Sequence, residues 1–153
     1  MDRASSWTVQ RGLVVRMALL LSGATTALAA TNSPTISHPW MRFLTRSTPA
    51  AGYFTLTNNT GHVITLSGAT SPDCGELMLH ESVVQNGTAE MKMVPGIAVP
   101  NHRSVTFSPG AYHLMCMSPT AAIAPGRNVP VTLQFKDDSS LRTTFPVYGA
   151  KGK

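Results

Sequence analysis

Ser104-Val105-Thr106-Phe107, Ser108-Pro109-Gly110-Ala111 and Tyr112-His113-Leu114-Met115-Cys116-Met117 follow one another, and their reading decides how this chain folds. Two runs of β-branched, aromatic and apolar residues flank a Pro-Gly pair, which is the pattern of strand, turn and strand rather than of a helix. Successive side chains of a strand point to opposite faces. The second run therefore carries His113, Met115 and Met117 on one face and Tyr112, Leu114 and Cys116 on the other.

Working outward, the same pattern repeats from Ser37 onward. Strands are expected near residues 36–43, 52–58, 63–69, 76–84, 89–93, 104–107, 112–117, 129–135 and 141–147. Asn58-Asn59-Thr60-Gly61, Gln85-Asn86-Gly87, Pro125-Gly126 and Lys136-Asp137-Asp138-Ser139-Ser140 separate them with residues that tolerate turn dihedrals. Helical periodicity is nearly absent. The expected fold class is all-β, a single-domain Greek-key sandwich or barrel.

The N-terminus has a different character. Arg3, Arg11 and Arg16 precede an apolar stretch, Met17 to Ala30, that ends in small residues of the A-x-A kind. This reads as a secretory signal peptide over residues 1–29, cleaved after Ala29. The run is short of the roughly 20 apolar residues a spanning helix requires and is interrupted by Ser22, Thr25 and Thr26. No cysteine lies near the cleavage region to accept a lipid, so a soluble exported product without stable membrane insertion is expected. Residues 30–148 then form the domain and 149–153 a polar tail.

Removing 29 of 153 residues leaves 124, enough for one core and few for two. Of the chain's 12 basic and 7 acidic residues, the leader takes three arginines and one aspartate. The remaining cations are scattered and form no block, which argues against a nucleic-acid partner. No G-x-S-x-G motif occurs and the carboxylates offer no evident acid–base pair, so an enzyme is not expected. Cys74 and Cys116 permit one disulfide in an oxidising compartment, and spacing alone does not decide whether they form it.

Strand parity concentrates soft donors. In residues 89–94 Met91 and Met93 share a face, and in residues 77–81 Met78 shares a face with His80. With His113 and Met115, three strands each offer thioether sulfur, and two of them add imidazole. Thioether and imidazole together suit Cu(I) and accept Cu(II), whereas zinc sites are built from Cys, His and carboxylate. Met78, Met93 and Met117 read as packing residues with an alternative donor set as the second reading. His38, His62 and His102 lie near turns or strand ends and read as exposed, and Trp40, Tyr53 and Phe54 read as core aromatics.

The spacing His80-x10-Met91-x21-His113-x-Met115 resembles the signature of the PCuAC family of periplasmic copper chaperones. Pro39-Trp40-Met41-Arg42, Ala51 to Asn58, Leu79-His80-Glu81, Met91-Lys92-Met93-Val94-Pro95 and Pro109 to Met115 also look like family segments. The resemblance spans Ser37 to Val147. It implies a cupredoxin-like fold, one Cu(I) held by His80, Met91, His113 and Met115, and a periplasmic location. It further implies delivery to copper centres of cytochrome c oxidase in cooperation with a Sco-type thiol protein. A copper-buffering or resistance protein without a dedicated client is the alternative. Cys116 departs from the family pattern; as a ligand it would give a blue-copper set, but alternation turns it away from His113 and Met115.

Overall fold

The computed structural model describes residues 32–152, so the leader expected over residues 1–29 lies outside it. Ten strands follow in order: β1 (Thr35–Arg42), β2 (Ala50–Thr57), β3 (Ile64–Thr70), β4 (Glu76–Gln85), β5 (Thr88–Met93), β6 (Ile97–Val99), β7 (Ser104–Phe107), β8 (Tyr112–Met117), β9 (Asn128–Phe135) and β10 (Ser140–Tyr148). Among the described residues there is no helix, and hence none long and apolar enough to cross a membrane. The all-β expectation holds.

Strand order is β5-β4-β8-β2-β1-β10-β9-β3-β6, with β7 beside β2. Every pairing is antiparallel except β1 with β10, where the sheet folds from one layer into the other. The N-terminal half of β2 pairs with β8 and its C-terminal half with β7. The turn that separates them is closed by the Ala111 amide donating to the Ser108 carbonyl at 3.0 Å. β4 and β5 are joined by Asn86 and Gly87, both at positive φ, the two-residue hairpin geometry that Asn-Gly favours.

Alternation buries one side of each strand. Leu77 and Leu79 of β4, Leu114 and Cys116 of β8, Phe54 and Leu56 of β2, and Leu133 and Phe135 of β9 all enter the core. Phe54 stacks on Phe107 at 4.1 Å and meets Phe145 edge-on at 5.7 Å. Gly52 lets β2 approach this layer: a Cβ there would stand 3.2 Å from both Leu114 Cβ and Phe145 Cε2.

Three features differ from the sequence reading. The strand β6 is added, three residues bounded by Pro95-Gly96 and Pro100, too short to show alternation, yet it buries Ile97 and Val99 against β3. The first strand is broken by a bulge between Ser37 and Trp40, where exposed His38 takes positive φ. Trp40 is not a core aromatic, and Tyr53, although only 3% exposed, lies outside the main core cluster. They pair directly across β1 and β2 on the face turned away from the core, with ring centroids 4.6 Å apart, and only Phe54 joins the core.

Cys74 and Cys116 form a disulfide, their Cα atoms 5.4 Å apart, which resolves the question that spacing left open. The bridge ties the loop before β4 to β8, and the Gly75 amide donates to the Met117 carbonyl beside it at 2.9 Å. Replacing both cysteines by alanine removes a cross-link spanning 42 residues of sequence separation. Urea unfolding of that double variant should show a loss of about 2–4 kcal/mol relative to the bridged protein.

Candidate metal centre

The outer face of β5, β4, β8 and β2 collects the donor side chains, because their core-facing neighbours are apolar and fix the parity. The register then sets rows across the sheet. His80 lies directly opposite His113 on β8 and opposite Met93 on β5. Met78 lies opposite Met115, and Met91 lies opposite Ser82. Side chains directly opposite have Cβ atoms about 4.5–5.5 Å apart and diagonal neighbours about 7–8 Å. His80 and His113 are thus immediate neighbours, and Met115 and Met91 each reach His80 across a diagonal, from opposite sides of that row.

Met91, His113 and Met115 line one open cavity of about 260 Å³, whose remaining wall includes Arg42, Tyr53 and Ser82. His80 does not line that cavity; it meets the cluster through its ring, edge-on to His113 with centroids 5.9 Å apart. Exposure grades across the face. His113 is 6% exposed, His80 and Met115 are half-buried, and Met91 is 63% exposed on the edge strand.

The two imidazoles are held differently. His113 Nδ1 stands 3.1 Å from the Ala111 carbonyl oxygen. A carbonyl only accepts, so Nδ1 carries the proton and donates it there, which leaves the Nε2 lone pair free for a metal. His80 Nδ1 is buried with no hydrogen-bond partner. A buried polar atom left in that state is costly unless a ligand completes it, which fits a metal-binding side chain.

Burial, and after it the neighbouring His113, hold the His80 imidazole below its ordinary value of 6.5. The ring is therefore neutral at neutral pH with a lone pair available. Among the described residues, no three His, Cys, Asp or Glu side chains cluster to hold a metal. Any ion bound at this face would need thioether sulfur, a donor that selects soft ions.

The aromatic wall was missed by sequence reasoning. Tyr53 lines the donor cavity, the Trp40 ring packs on Tyr53, and the Arg42 guanidinium sits 5.6 Å from the Tyr53 ring centroid. Parity was the available signal, since Tyr53 alternates with core Phe54 and Gly52. Burial raises the Tyr53 phenol above its ordinary value and Arg42 opposes that shift. Met93 is also not a packing residue: it stands 70% exposed, beside Met91 at 63%. Cys116, fully buried and bridged, has no thiolate to offer a metal.

Comparison with known proteins agrees with this architecture. The copper-bound PCuAC domain from PmoF2 superimposes with a TM-score of 0.64 at 22% identity, covering 79% of this chain and 97% of that one. Apo-DR1885 from Deinococcus radiodurans matches at 0.60 with 26% identity, over 96% of this chain and all of that one. Its copper(I) form, CuI-DR1885, matches at 0.55 with 29% identity, over 83% of each chain. The protein named "Putative lipoprotein Lxx21020" from Leifsonia xyli subsp. xyli (strain CTCB07) is 32% identical over 119 residues, covering 76% of this chain and 70% of that one. The fold class is thus the cupredoxin-like sandwich of PCuAC domains, as the sequence resemblance implied. The chain belongs to the PCuAC-related family described as "Putative lipoprotein LpqE-like", whose model matches residues 34–147.

Because folding disfavours a charged His80, this residue contributes stability in full above its ordinary pKa, and the contribution fades as pH falls through the lower folded value. NMR titration of the metal-free protein should give His80 a midpoint below 6.5. His113→Gln, which removes the neighbouring imidazole that helps hold His80 down, should move that midpoint upward.

Proposed function

We propose that this protein is an exported copper carrier that holds Cu(I) through His80, Met91, His113 and Met115 and yields it by ligand exchange. The observation that carries the reading is the paired imidazoles, one presenting a free Nε2 lone pair and the other an unpartnered buried nitrogen, beside an open cavity lined by two thioethers. The copper-bound titles of the PmoF2 domain and of CuI-DR1885 support copper as the cargo and Cu(I) as its state. Cu(II) binding through the imidazoles is compatible with the same set.

Ligand chemistry favours carriage over catalysis or electron transfer. Two neutral thioethers and two neutral imidazoles bind Cu(I) without losing a proton except through histidine, and an exposed Met91 leaves room for an incoming donor. The locked disulfide removes the one sulfur that would make a blue-copper site. Delivery to a copper centre of cytochrome c oxidase, with a Sco-type thiol protein as a further partner, is the errand we assign from the PCuAC relationship. The protein works outside the cytoplasmic membrane, in the periplasm, after cleavage of residues 1–29.

Met91→Leu and Met115→Leu keep side-chain bulk and remove sulfur. Each should weaken Cu(I) affinity by about tenfold or more, since even outer groups around metal ligands are worth 10–100-fold, with the β-sheet circular dichroism unchanged. Unaltered affinity in both variants rejects the ligand set. Copper(II) protein should lack an intense thiolate-to-copper absorption band. A strain deleted for this gene should lose oxidase copper under copper limitation, whereas loss of survival under copper excess alone would favour buffering. Intact mass of the exported product should match residues 30–153 without added lipid; a lipid-modified mass rejects the soluble form.

A further inference from the structure

The proposed ligand set leaves two methionines on the same face without a role, and neither is packed away as filler. Met93 is 70% exposed and stands directly opposite His80, one ladder step nearer than Met91. Met78 precedes His80 by two residues on the same face of β4. Met78 and Met93 line a second open cavity of about 320 Å³, beside Pro95 and Gln134. This cavity shares no lining residue with the one that holds Met91, His113 and Met115.

His80 lies between the two. It is in the ladder row of Met93 and His113, with Met78 and Met115 together in the adjacent row. The Ala111 carbonyl anchors His113, while His80 Nδ1 has no hydrogen bond to hold it. His80 lines neither cavity; it stands on the sheet face beside the methionines of both, and no hydrogen bond at Nδ1 ties its ring to either.

We propose that Met78, Met93 and His80 form a second Cu(I) station, to which the ion passes from the first by exchange of ligands at a shared His80. This rests on the four-residue reading of the first site. In the step, the bonds from copper to Met91, Met115 and His113 break as bonds to Met78 and Met93 form. The ion remains Cu(I), one neutral thioether pair replaces another, and neither a proton nor an electron moves. The exchange needs no oxidant, and the low-coordinate sulfur–nitrogen set that results suits Cu(I). The second station lies at the end of β5, where the chain leaves the sheet through Val94-Pro95, and both its methionines line an open cavity.

The test follows the methionine methyl groups. Exported protein labelled with ¹³C at the methionine ε-methyls is titrated anaerobically with Cu(I), kept reduced by ascorbate, to two equivalents. Met91 and Met115 should shift most with the first equivalent, with Met78 and Met93 moving weakly as the ion exchanges through His80, and Met78 and Met93 should shift fully with the second. Met78→Leu/Met93→Leu should lose the second response while the other methyl signals report an intact fold. Response of Met91 and Met115 alone through both equivalents overturns the second station and leaves the first reading standing. A first equivalent that moves Met78 or Met93 in place of Met91 and Met115 overturns the four-residue reading, and no methyl response at all overturns both.

Discussion

The pairing of β4 with β8 is the constraint on which the site depends. A slip of one residue in that register would send every side chain of the strand to the opposite face. His80 and Met78 would enter the core, and Leu77 and Leu79 would face water. The apolar face prevents this: Leu77, Leu79, Leu114 and Cys116 are all buried in one cluster. The disulfide adds a covalent stop at one end, because Cys116 is directly opposite Leu77 and its bridge reaches Cys74 just before β4. The chemistry of the outer face is thus positioned by the packing of the inner one.

That arrangement separates the sulfur atoms by task. Cysteine is consumed in the core as a cross-link, where a thiol would otherwise be exposed to oxidation. Methionine stands at the surface, where thioether cannot form disulfides and binds soft cations without deprotonation. The cost is exposed apolar side chains on β5, a strand whose residues are all solvent-accessible. Nothing in the packing of the sheet requires sulfur at Met91 or Met93, since neither supports the core.

Much of the donor face was legible because strand parity depends only on alternation. Tyr112 to Met117 could be sorted into two faces from sequence, and the sheet sorts them the same way, with Leu114 and Cys116 inside and Met115 half-buried outside. What alternation does not provide is the partner in the next strand. Alternation within residues 80–93 does not say whether Met91 or Met93 stands opposite His80; the two-residue Asn86-Gly87 turn inside that stretch fixes it in favour of Met93, a register the Asn-Gly signal made available. The pairing of Cys74 with Cys116 was equally beyond spacing, because it depends on where the loop before β4 returns. Trp40 was misplaced because aromatic bulk was weighted above parity: it pairs across the sheet with Tyr53, whose neighbour Phe54 occupies the core face.

Charge gives the last step. Neither donor cavity is lined by a carboxylate, and Arg42 lines the first. A Cu(I) ion held by neutral imidazole and thioether keeps its positive charge, with no anion beside it and a guanidinium at the cavity wall. Coulomb repulsion between unit charges a few ångströms apart is substantial at a partly desolvated surface. Arg42 is also engaged with the Tyr53 ring, which draws its charge toward the aromatic wall and away from open solvent. On the proposed ligand set, such a site would bind through softness alone, with charge opposing retention. In the proposed carrier, a client that offers a thiolate would supply the missing anion, and ligand exchange would run toward the client without any change in the oxidation state of the metal.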